Sequence, residues 1–122
     1  MKIRIRGNSV RFRLTKNEVA QLCQEKFITD ETNFSNLDFS YAVKVSDAKN
    51  LEVNFSNNQI LLQIPEKLIQ GWETNTKVGF SHSVPTSNNK FIDLLLEKDF
   101  TCLEDRGEDE SNNYPNPKSL TH

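Results

Sequence analysis

Basic side chains that could bind an anion are concentrated at the start of the chain. Residues 1–16 contain six of them: Lys2, Arg4, Arg6, Arg11, Arg13 and Lys16. No acidic residue lies among them, although the whole chain has a formal net charge of -2. A guanidinium group donates paired hydrogen bonds to phosphate or carboxylate oxygens. Arg4, Arg11 and Arg13 are therefore candidate ligands for a phosphate group, and such binding should weaken as salt is added.

The other end of the chain has the opposite charge. Between residues 97 and 110, seven acidic side chains outnumber two basic ones, which gives a net charge of -5. Like charges that face each other on paired strands cost about 0.2 to 1 kcal/mol per pair, so the basic segment needs counter-charges. We therefore interpret the chain first as a small non-enzymatic binding or structural domain, with this acidic segment packed on a basic N-terminal hairpin.

Part of the acidic segment has the chemistry of a divalent-metal site. Asp105, Glu108, Asp109 and Glu110 lie close together in the sequence. Calcium takes six to eight oxygen ligands, which clustered carboxylates on an irregular backbone can supply. The run EDRGEDES lacks the regular spacing of an EF-hand loop. A metal-binding protein or a metal-dependent enzyme is thus an alternative function, and the sequence indicates no other cofactor.

A cysteine nucleophile is a weaker alternative. Cys102 would need His82 within hydrogen-bond reach as its base. Strand pairing in the last hairpin is predicted to place His82 opposite Asp93, with Cys102 about 30 Å further along. Both side chains share the alternation of the apolar core positions, although Lys98 interrupts that series. The sequence therefore gives no positive indication of catalysis.

The composition also limits the partners and the compartment. The chain is acidic overall, and the one aromatic residue of the basic segment, Phe12, alternates with the apolar residues and not with the arginines. Nucleic acid is therefore an unlikely partner. No apolar run approaches the roughly 18 residues of a membrane span, and no leader pattern or CxxC motif is present, so a cytoplasmic protein is expected.

Alternation of apolar residues predicts most of the secondary structure. Residues 2–14 are predicted to form a hairpin that turns at 7–9 and has one apolar and one cationic face. Thr15 and Glu18 form a capping box for a helix over about 16–26. Strands are predicted over 37–45, 51–55 and 60–64 as a meander, with 27–33 as a weaker edge strand that could pair with a second copy in a homodimer.

The remaining elements complete an α+β prediction. Pro65 begins a short helix, and Leu68, Ile69 and Trp72 should cover a sheet edge. A final hairpin is predicted over 78–84 and 91–103. Because the connections look too short for parallel crossovers, all pairings are predicted to be antiparallel. The expected fold is mainly antiparallel β, a curved sheet or incomplete barrel with two short helices, forming a single domain over 1–117 with a flexible tail at 118–122.

The two ends of the chain also resemble a small family of bacterial proteins of unknown function. The shared pattern comprises Gly7-Asn8-Ser9 with Arg11 and Arg13 at the front, and Lys98-Asp99-Phe100, Cys102, Arg106, Glu108-Asp109-Glu110 and Tyr114-Pro115-Asn116-Pro117 at the back. The resemblance covers nearly the whole chain. It implies no activity, because none is assigned to the family.

Overall fold

The structure is a computed structural model and describes residues 1–100. Its elements in chain order are β1 (Lys2–Ile5), β2 (Ser9–Leu14), α1 (Lys16–Glu25), β3 (Phe27–Asn33), β4 (Asp38–Ser46), β5 (Glu52–Ser56), β6 (Gln59–Pro65), α2 (Glu66–Ile69), β7 (Gly79–Pro85) and β8 (Phe91–Lys98). The predicted α+β class, with mainly antiparallel strands and two short helices, is confirmed. The predicted domain end at 117 and the predicted tail at 118–122 lie outside the described residues.

The first hairpin and helix form where the sequence places them. Gly7 adopts a left-handed φ of 54° in the turn, a conformation that glycine reaches without a steric penalty. At the start of α1, the Thr15 hydroxyl accepts a hydrogen bond from the Glu18 amide, and the Glu18 carboxylate accepts one from the Thr15 amide. Val19 and Leu22 are the buried face of this helix. The predicted capping box is therefore real.

The strands form two four-stranded sheets, with the orders β1-β2-β8-β7 and β3-β4-β6-β5. In the middle of each sheet two strands run parallel, β2 beside β8 and β4 beside β6. The predictions of a three-strand meander and of antiparallel pairing throughout are therefore wrong. The reason is that intervening strands serve as crossovers: β5 lies between β4 and β6 in the chain but pairs at the far edge of β6.

One apolar core fills the space between the two sheets. Its fully buried side chains include Phe12, Leu22, Leu62, Ile64, Trp72 and Leu96. α1 and α2 follow the C-terminal ends of β2 and β6 and meet each other, since the Cys23 thiol lies 3.6 Å from the Ile69 carbonyl oxygen. Both helices thus close the same end of the core.

Two of the three residues predicted to cover a sheet edge belong to the core between the sheets. Ile69 and Trp72 are completely buried, whereas Leu68 remains 38% exposed. The indole of Trp72 packs edge-on against Phe80, with ring centroids 5.0 Å apart, and its N–H donates to the Lys77 carbonyl oxygen at 2.8 Å. A buried tryptophan commonly needs such an acceptor, so this contact explains why the segment after α2 is held against the core.

The last hairpin differs from the prediction in its register. His82 lies opposite Leu94, and Asp93 instead faces Ser83. The connection is one residue shorter than predicted, because Pro85 already pairs with Phe91, and two of its residues, Asn88 and Asn89, adopt left-handed φ values of 64° and 58°. β8 continues without a break to Lys98, which pairs with Leu14 and occupies a buried position on the inner face.

β3 occupies the edge of its sheet, as predicted from the sequence. No described strand pairs with the outer side of β3, and the homodimer remains a prediction. Neither helix in residues 1–100 has the length and apolar character needed to cross a membrane.

A substitution of Gly79 tests the pairing of β7 with β8. A Cβ atom at this position would lie 2.4 Å from the Leu96 carbonyl oxygen and 2.8 Å from the Glu97 Cα. Because both neighbours are backbone atoms, Gly79→Ala should lower the free energy of unfolding by about 1 to 3 kcal/mol, measured by urea denaturation. Ser81→Ala, at an exposed position on the same strand, is the matched control. Equal stability of the two variants would contradict the pairing.

Candidate anion-binding site

The basic residues of the first hairpin share the outer face of the first sheet. In the register of β1 and β2, Lys2 lies opposite Arg13 and Arg4 opposite Arg11. Arg6 follows directly after β1, and its backbone amide donates to the Ser9 carbonyl oxygen at 3.0 Å. We call these five side chains the arginine face: Lys2, Arg4, Arg6, Arg11 and Arg13. Strand alternation alone places them together, because Val10, Phe12 and Leu14 point into the core.

One part of the arginine face is neutralised by β8 and the residue that follows it. The Nε of Arg13 donates to Glu97 Oε1 at 2.7 Å, and the Nε of Arg11 lies 3.7 Å from the same oxygen. The Nζ of Lys2 is 3.2 Å from the largely buried Asp99 carboxylate. Glu97 and Asp99, the first two acidic residues of the segment 97–110, therefore supply counter-charges to the hairpin.

The other part of the face forms a small cationic pocket. Arg4, Arg6, Ser9 and Arg11 line a cavity of about 90 Å³. Within residues 1–100, neither Arg4 nor Arg6 forms an ion pair, and Arg11 has only its long contact to the carboxylate that Arg13 already engages. The cavity has roughly the volume of three water molecules, which is enough for one phosphate or carboxylate group.

Sequence reasoning found part of this pocket. Of its three proposed anion ligands, Arg4 and Arg11 line the cavity, whereas Arg13 lies one pair further along and is bonded to Glu97. Arg6 and Ser9 were not proposed. The sequence spacing could have identified both residues. Arg6 lies two residues after Arg4, and Ser9 lies two residues before Arg11, so each is expected on the same strand face as a proposed ligand.

The remaining candidate sites fall wholly or partly outside the described residues. Asp105, Glu108, Asp109 and Glu110, the proposed metal ligands, all lie beyond residue 100, as does Cys102. Within the described part of the chain, no group of three or more His, Cys, Asp or Glu side chains is placed to hold a metal ion. His82 is half-buried on β7, on the same face as Phe80 and Val84.

A second polar cluster lies at the end of the core that the helices close. The Lys98 ammonium donates to the Asn75 carbonyl oxygen at 2.7 Å and lies 5.7 Å from the centre of the Trp72 ring. Burial lowers the pKa of Lys98 and raises the pKa of the Cys23 thiol. Both shifts favour the neutral form of the side chain, which is suited to packing at the end of the core. Alternation puts Lys98 in the same series as Leu94 and Leu96, and the structure buries it on their face.

Glu97 should make a measurable contribution to stability through its shared contact with two arginines. Its carboxylate is 17% exposed, so Glu97→Gln should lower the free energy of unfolding by about 1 kcal/mol at low salt, and by less at high salt. Glu52→Gln, on the exposed edge strand β5, serves as the control. A Glu97→Gln protein as stable as this control at low salt would show that the pairing contributes nothing.

Comparison with known proteins adds a family but no activity. Residues 1–118 match a family described as "Family of unknown function (DUF7009)". No curated protein matches the chain, and no solved structure does. The match spans all the described residues, both sheets and the cationic pocket included. The chain therefore belongs to this family of unknown function.

Proposed function

We propose that the chain is a non-enzymatic binding domain that holds an anionic group in the pocket of Arg4, Arg6, Ser9 and Arg11. One observation carries the proposal: three guanidinium groups line one small cavity, and two of them lack an ion pair within residues 1–100. The lining offers positive charge and hydrogen-bond donors, which are the groups needed to hold a phosphate or a carboxylate.

Electrostatics supports an occupant for this pocket. Arg4 and Arg11 face each other across paired strands, an arrangement that is unfavourable by about 0.2 to 1 kcal/mol unless a negative charge lies nearby. A bound anion would relieve this repulsion and accept bidentate hydrogen bonds from at least one guanidinium group. The same charges would raise the rate at which an anionic ligand arrives at low salt.

The chain's own acidic segment is the proposed resting occupant of the arginine face. Within the described residues, Asp99 lies at the end of this face that Lys2 occupies, and the two side chains form an ion pair. On β8, Leu95 lies beside Arg11. Asp99 is four residues further along the strand, so Leu95 and Asp99 are about 13 Å apart. Five extended residues beyond Asp99 span about 17 Å, so the acids at 104–110 can reach the pocket. Charge and reach both favour this intramolecular contact.

Two further parts of the proposal come from the sequence. The free thiol of Cys23 and the absence of any CxxC motif favour a reducing compartment, and we place the protein in the cytoplasm. Divalent-metal binding by the carboxylates of 105–110 remains the alternative function. It rests on the composition of that run, and no contact in residues 1–100 favours it.

Removing a charge from the pocket should weaken binding of inorganic phosphate. Arg4→Gln or Arg6→Gln should raise the dissociation constant about tenfold, since a charge-assisted hydrogen bond contributes about 1.5 to 3 kcal/mol. Isothermal titration at constant ionic strength measures the effect. Lys44→Gln, which removes an exposed charge from the second sheet, is the matched control. If the wild-type protein and all three variants bind phosphate equally, the pocket is not the site.

Deleting residues 104–122 should expose the pocket. We expect phosphate to bind severalfold more tightly, because an internal competitor is removed, and the melting temperature without phosphate to fall. A full-length variant with the five carboxylates of 104–110 replaced by amides should behave like the deletion and so separate charge from chain length. If neither the melting temperature nor the phosphate affinity changes in either variant, the acidic segment does not pack on the hairpin.

A further inference from the structure

An apolar cleft opens between the two sheets at the end opposite the helices. Seven apolar side chains line it: Ile5, Val10, Phe39, Val53, Phe55, Ile60 and Ile92. Five of these residues lie at the N-terminal ends of β2, β4, β6 and β8 or at the C-terminal end of β1. α1 and α2 follow the C-terminal ends of β2 and β6 instead. In the described chain, the cleft is therefore the mouth of the core that neither helix covers.

The cleft has the size and the walls of a site for one narrow apolar chain. Its volume is about 290 Å³, at the lower end of the range for small-molecule pockets. Val10 and Ile60 form a buried base, whereas Ile5 and Phe55 at the rim are 57% and 64% exposed. The Phe39 and Phe55 rings stand 6.3 Å apart along one wall. A ligand chain would remove this apolar surface from water.

The same hairpin forms both the cleft and the cationic pocket. Ile5 and Val10 face each other and line the cleft, while Arg4 and Arg11, the next pair along, face each other and line the pocket. β1 is the edge strand of its sheet, so no described strand lies on its outer side to separate the two sites. The two sites lie on opposite faces of the hairpin, and the outer edge of β1 is the path that joins the mouth of the cleft to the arginines.

We propose that the protein binds an anionic amphiphile with a single apolar chain, placing the chain in the cleft and the head group among Arg4, Arg6 and Arg11. The inference rests on the proposed anion site and adds the class of ligand. Charge complementarity selects this occupant, because an anionic head group can replace the acidic segment among the arginines and a neutral molecule cannot. A carboxylate head, as in a fatty acid, and a phosphate head share this chemistry.

The test compares octyl phosphate and octanoate with two partial ligands, inorganic phosphate and octyl glucoside, on the full-length protein below micellar concentrations. Each buried methylene group contributes about fourfold in affinity. At least one of the anionic octyl compounds should therefore bind more than tenfold tighter than either partial ligand, and the preferred one identifies the head group. Phe55→Ser should remove most of this advantage and leave phosphate affinity unchanged. Asn54→Ser, at the adjacent exposed position of β5, should change neither.

The outcomes separate this inference from the proposed anion site. If neither octyl phosphate nor octanoate binds more tightly than inorganic phosphate, no apolar chain occupies the cleft. The inference then fails, while the proposed anion site stands. If octyl glucoside binds as tightly as the anionic compounds, the head-group assignment is overturned. If Phe55→Ser and Asn54→Ser bind the octyl compounds alike, the chain does not lie in the cleft. If inorganic phosphate, octyl phosphate and octanoate all fail to bind, the proposed function fails as well.

Discussion

The parallel pairing of β2 with β8 is the constraint on which the rest of the structure depends. It joins strands from the two ends of the described chain and makes β2 a central strand of its sheet. Its register places Glu97 beside Arg13 and Phe12 beside Leu96, so that one pairing fixes both the outer charges and the inner packing. Shifting the register by one residue would turn every side chain of β8 to the opposite face.

The consequence is a hairpin with two different chemical faces. Its inner face contributes Phe12 and Leu14 to the closed part of the core, and Ile5 and Val10 to the open mouth. On the outer face, carboxylates are close to Lys2, Arg11 and Arg13, and Arg4 and Arg6 are left to the pocket. The proposed function and the proposed ligand both follow from this uneven distribution of charge along two short strands.

Local patterns in the sequence predicted the elements and the antiparallel hairpins, but not the two parallel pairs. Alternation and the capping box specify β2 and α1, because their signals lie within a few residues of each other. The parallel pairs depend on contacts between distant segments, which no local pattern encodes. Arg6 was overlooked although its spacing continues that of Arg4, and the cleft was missed because the apolar residues at an open mouth alternate as those of a closed core do.

The arginine side chains themselves can report whether the pocket holds an anion. Nuclear magnetic resonance of the Nε–Hε groups in the full-length protein, titrated with phosphate at constant ionic strength, would follow each guanidinium separately. If the pocket binds phosphate, the signals of Arg4 and Arg6 should move together and saturate, while that of Arg13, bonded to Glu97, should move little. Unmoved Arg4 and Arg6 signals at saturating phosphate would contradict binding in the pocket.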